Sequence, residues 1–185
     1  MLDATRNRIA ARMRRLMQGR FVRQQDGAAA VEFALVAAPF LALTFAILET
    51  AMVFFAGQTL EAAVTDSSRL IMTGQAQTAN FSQAQFKTAV CARIYGLFDC
   101  ANGLYVNVQT YSNFSDAANQ ASPITNRQFN TTMNYNPGDV GNIVVVSLYY
   151  QWPIYVSMLG NNLANLNGGN RLLSATSVFR VEPYH

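Results

Sequence analysis

The chain has 185 residues, the length of one ordinary domain, with 51% hydrophobic residues, 12% charged residues and a formal net charge of +3. Soluble domains carry roughly 25% charged residues, so this composition excludes a disordered tail and argues against a freely soluble cytosolic enzyme. Two cysteines are too few for a disulfide-dense mini-protein or a four-cysteine zinc site, and the one histidine, His185, removes most histidine-based catalysis and metal ligation.

The charge is unevenly placed. Residues 1–26 hold seven arginines against Asp3 and Asp26, whereas the rest of the chain has six basic and eight acidic residues. A nucleic-acid arm needs aromatic side chains interleaved among its cations, and none precedes Phe21. The arginines therefore read as a topological signal or as an amphipathic contact with anionic lipid. At Gly27 the hydropathy changes abruptly, and from Phe33 to Leu48 no residue is charged. A membrane-spanning helix needs about 20 mostly apolar residues, and 28–48 supplies them. The rivals are a buried core helix and a cleaved secretory signal, whose apolar region is shorter, roughly 7–15 residues. With the arginines on the cytoplasmic side, everything after about residue 57 lies outside the inner membrane.

Glu32 stands at the threshold of the apolar run. Alone, it reads as an interfacial carboxylate that snorkels to water. Its neighbours change that reading. A basic leader, Gly27, four further residues, Glu32-Phe33 and an apolar helix resemble the type IV prepilin cleavage motif. The likeness extends to the TadE-like proteins of tight-adherence (Tad) pilus systems. It rests on Gly27 with Glu32-Phe33, Pro39 early in the span, Asp66-Ser67-Ser68-Arg69 followed by Thr73-Gly74-Gln75, Gln151-Trp152-Pro153, and a closing Glu182-Pro183-Tyr184. The chain departs from the family in having Ser67-Ser68 where alanines are common.

That resemblance implies a pilin-like structural subunit and no enzyme. A prepilin peptidase would cut between Gly27 and Ala28, and Glu32 with Phe33 would serve assembly with other pilin-like subunits and the Tad inner-membrane platform. It implies a single-pass inner-membrane protein in contact with lipid, with its C-terminal domain periplasmic, and entry into the extracellular pilus is left open. No cofactor, metal, nucleic acid or small-molecule substrate is implied. The alternative is an uncleaved, membrane-anchored periplasmic binding or scaffold protein. A membrane-tethered hydrolase is disfavoured by the absence of G-x-S-x-G, Walker A and H-E-x-x-H motifs.

The expected organisation is a basic leader over 1–27, a transmembrane and extended helix over 28–74, and an α+β domain over 75–185. At 1.5 Å per residue, Glu49 falls about 31 Å along the helix from Ala28, at the far interface. Glu49 and Glu61 are expected to face outward and to be solvated. The helix should reach about Met72 and stop near Gly74. A second helix is expected over 82–97, opened by a Ser82/Gln85 capping box. Strand-like runs follow at 104–111, 143–152 and 173–181. Residues 112–141 and 161–170 read as loops, with Asp139 in a turn. These elements make a small antiparallel α+β domain of one helix and about three strands. In an oxidising compartment Cys91 and Cys100 favour a disulfide, worth roughly 2.7 kcal/mol for so short a loop. Two free buried thiols are the other reading.

Overall fold

The computed structural model describes residues 25–94, 96, 98–156 and 163–184. All seven leader arginines, Leu97 and His185 fall outside the described residues. The chain divides between Phe45 and Ala46 into two compact units. Helix α1, Gln25–Met72, runs through this boundary, with Pro39 inside it. It is long and apolar enough to cross a membrane, and among the described residues it is the one such helix. In the first unit its apolar side chains are open on every side. Val31, Phe33, Leu35, Val36, Phe40, Leu41, Leu43 and Phe45 are all exposed. An all-round apolar helix with no protein cover is suited to lipid.

In the second unit the same helix becomes one-sided. Val53, Ala56, Leu60, Ala63, Val64, Ser67 and Ile71 are buried, at the three- and four-residue steps that place side chains on one helical face. Ala56, Ala63 and Ser67 are small, which lets the helix backbone approach its neighbour closely. Thr65, Asp66 and Arg69 remain outside.

Helix α1 ends where the glycine predicts. Gly74 is buried at φ +76, and a short turn of helix, α2 (Gln75–Thr78), follows it. Left-handed backbone is a usual way to finish a helix, and glycine adopts it without a Cβ clash. A second demand acts at this position: a Cβ on Gly74 would overlap the ring of Tyr184. One residue pair away, the Glu182 N–H donates to the Met72 carbonyl at 2.9 Å. The closing Glu-Pro-Tyr therefore seals the end of α1.

Helix α3, Gln83–Cys91, opens with the expected capping box, the Gln85 N–H bonded to Ser82 Oγ and the Ser82 N–H to the Gln85 side chain. It buries Phe86 and Val90. It stops at Cys91, short of the expected 97, because a turn intervenes before α4 (Cys100–Gly103), whose start is capped by Asp99. Three strands form one antiparallel sheet in the order β1 (Leu104–Tyr111), β4 (Ile143–Pro153), β5 (Asn170–Arg180). The register runs from Leu104↔Tyr150 to Tyr111↔Ile143 and from Ile143↔Arg180 to Pro153↔Asn170. Alternation then sorts the side chains. Val106, Val108, Val144, Val146, Leu148, Leu173 and Ala175 share a core with the α1 stripe and with Phe86 and Val90.

The other sheet face is covered by the segment expected to be a plain loop. Residues 112–142 include α5 (Phe114–Ala118) and the hairpin of β2 (Ile124–Thr125) with β3 (Gln128–Phe129). Phe129 packs edge-on against Tyr105 with ring centroids 5.0 Å apart, and Ala117 joins Ile143 and Val145. A few apolar residues scattered in a polar run are enough to fold it over Tyr149 and Val145. The whole is an α+β arrangement, a long helix and a short one with an antiparallel sheet, as the sequence leads one to expect.

Candidate processing and assembly segment

Gly27, Ala28, Glu32 and Phe33 all lie in the first turns of α1, and all four are exposed. A Cβ placed on Gly27 meets nothing within 4 Å, so the folded chain has no packing need for glycine there. Its presence in a helix is mildly unfavourable, by roughly 0.5–1 kcal/mol against alanine. Gly27 is the third residue of the described helix. Ala28 and Glu32 are four residues apart, which puts them one above the other on the same helical face. Glu32 has no hydrogen bond or ion pair to any described residue, and Phe33 is 74% exposed. An apolar stretch of helix that leaves the Glu32 carboxylate and the Phe33 ring uncovered is suited to being covered by another chain.

Further along, Glu49 departs from expectation. It is half-buried, and its carboxylate accepts the backbone N–H groups of Tyr155 and Val156, the latter at 3.0 and 3.1 Å. Sequence reading missed this because the partner N–H groups lie more than 100 residues away and carry no side-chain signal. Glu61 is exposed and accepts from the Gln58 side chain at 3.3 Å.

The structure brings Cys91 and Cys100 to disulfide distance, with Cα atoms 5.7 Å apart, inside the usual span for a bridge. The surrounding contacts hold that loop together independently. Lys87 Nζ donates to the Ala101 carbonyl at 2.8 Å, and the Asp99 N–H donates to the Tyr150 hydroxyl at 3.2 Å. Phe98 packs edge-on against Tyr150 at 4.8 Å between ring centroids.

Asp99, Asp116 and Asp139 take part in local capping and turn contacts. Asp99 accepts from the Asn102 side chain and backbone, and these bonds hold its carboxyl below the usual range. Asp116 sits in the first turn of α5 and accepts from Asn113 Nδ2 at 2.8 Å. The Asp139 N–H and carbonyl both bond Asn142 across a turn.

A family model described as TadE-like protein matches residues 27–69. The likeness drawn from the sequence is thus a finding over the apolar helix and the first part of its packed continuation. No curated protein and no solved structure matches the chain.

Proposed function

We propose that this chain is a minor pilin-like structural subunit, made as a precursor, cut by a prepilin peptidase between Gly27 and Ala28, and then used in building or priming a Tad-type pilus. The observation that carries this reading is the start of the family match at Gly27, a glycine for which the folded chain has no packing use. TadE-like proteins are structural, which supports a subunit role.

The physical sequence of events is simple. The arginines hold the leader in the cytoplasm and the helix in the membrane, with the C-terminal domain outside. The peptidase draws the first turn of α1 into an extended form at Gly27 and cuts. Removal of the arginines takes away the charge that fixes the helix and frees the amine of Ala28. Glu32 and Phe33 then engage other pilin-like subunits of the assembly platform, where an amine and a carboxylate satisfy one another in a medium of low dielectric.

N-terminal sequencing of the protein recovered from cells tests the reading. A mature chain beginning at Ala28 is expected. Gly27→Leu adds a branched side chain where the peptidase must approach the backbone, and should leave the precursor uncut. A wild-type chain that begins at Met1, or a Gly27→Leu chain trimmed normally, would overturn the cleavage assignment in favour of a permanent membrane anchor.

A further inference from the structure

The segment leaving β4 has an unusual donor balance. Pro153 has no N–H. The Ile154 N–H donates to the Gly169 carbonyl at 3.1 Å, and the N–H groups of Tyr155 and Val156 both donate to the Glu49 carboxylate. From Pro153, the last residue of β4, through Val156, no backbone donor is thus left free for water. Such closure is unnecessary on a wet surface and is what a low-dielectric surrounding requires.

The side chains point the same way. Tyr155 is 83% exposed, the most exposed large hydrophobic side chain among the described residues. No charged residue occurs between Asp139 and Arg171. On α1 the exposed apolar positions continue past Glu49 through Met52, Phe54 and Phe55. Glu49 itself stands about 31 Å of helical rise beyond Ala28, and the hydrocarbon of a bilayer is about 30 Å thick. At that level the Glu49 carboxylate accepts two backbone N–H groups of the segment after β4. Tyrosine is enriched at this level of a membrane, its ring toward the acyl chains and its hydroxyl in water.

The geometry points to a second membrane contact: the segment after β4, fastened to α1 through Glu49, lies on the outer-leaflet interface with Tyr155 inserted among the lipid headgroups. The partner is the lipid surface itself. The Glu49 bonds that fasten the segment lie wholly within the second unit. The contact rests on α1 being a membrane anchor and is independent of cleavage at Gly27.

Trp152 is the one tryptophan in the chain, so a single optical probe is easily moved to the site. The full chain carrying Trp152→Phe and Tyr155→Trp is placed in phosphatidylcholine vesicles at two protein-to-lipid ratios. Flotation with the vesicles reports the anchor. Lipids brominated near the headgroup should remove most of the emission of the new tryptophan, and iodide in the outer solution should remove little. Adding Glu49→Ala to this chain should reverse that order while flotation persists. A floating chain whose emission is quenched by iodide and spared by brominated lipid overturns the interfacial contact alone. Shielding that grows with protein-to-lipid ratio, without lipid quenching, assigns the surface to another protein and overturns it too. Failure to float overturns the anchor and the proposal together.

Discussion

Ser67 and Ser68 are both buried on α1, yet their hydroxyls fare differently. Ser67 Oγ donates to the Ala63 carbonyl at 2.6 Å, whereas Ser68 Oγ has no hydrogen-bond partner among the described residues. Leaving a buried hydroxyl unpaired costs about 1–3 kcal/mol. Ser68→Ala should therefore leave stability unchanged or raise it by about 1 kcal/mol, seen as a higher thermal midpoint. A loss of that size would show that the hydroxyl is paired. Tyr135 presents the same question with a charge attached. Its hydroxyl is buried without a partner among the described residues, and burial pushes its pKa up to about 12 from an ordinary value near 10. The folded state holds this proton more tightly than the unfolded chain does. Its contribution is therefore complete below about pH 10 and is lost as the pH rises through about 12. Tyr135→Phe should flatten the fall in stability over that alkaline window, measured by thermal unfolding at a series of pH values. An unchanged alkaline slope would remove Tyr135 as its cause.

Among the elements, those with a strong periodic pattern were legible and those built from sparse contacts were not. The limits of β1 and the start of β4 are readable from uninterrupted β-formers. The α3 start is readable from Ser82 and Gln85, and the end of α1 from Gly74. The hairpin of β2 and β3 escapes because its turn, Asn126-Arg127, puts both residues at positive φ, +52 and +58, without the glycine that advertises such turns. The early stop of α3 escapes because Ile94 continues the apolar rhythm, with Arg93 as its one polar interruption, after the helix has ended. The Glu49 contact escapes for the reason that it joins a side chain to a distant backbone. At Gly27 and Glu32 the balance is reversed, since the residues are plain in the sequence while no described residue packs on Gly27 or pairs with Glu32. The link between α3 and α4 gives a direct element-level test. Cys91→Ser and Cys100→Ser should each lower domain stability by a similar amount, about 2–5 kcal/mol. Alkylation under denaturing, non-reducing conditions should find no free thiol in protein isolated from cells, and two reactive thiols would show that the bridge does not form.

At the scale of the whole molecule, α1 serves two environments with one hydrogen-bonding pattern. Up to Phe45 its side chains find no protein, and from Val53 onward one face is core. The uncovered part holds Glu32, the carboxylate proposed to serve assembly. Removing one member of a buried ion pair costs around 3–5 kcal/mol, enough to lower an association constant by a factor of at least about a hundred. Glu32→Ala should give a protein that is trimmed and inserted normally but supports few or no pili, counted on cells producing that variant. Wild-type pilus numbers would leave Glu32 as an ordinary interfacial carboxylate. The seal at Gly74 adds a mechanical consequence. Tension applied along α1 arrives at Met72, where the carbonyl holds the Glu182 N–H and Tyr184 rests on the following glycine. The strain is thereby divided between the covalent path into α2 and the last strand of the sheet. A subunit pulled by its helix would pass load into β5 without first unravelling the chain that lies between.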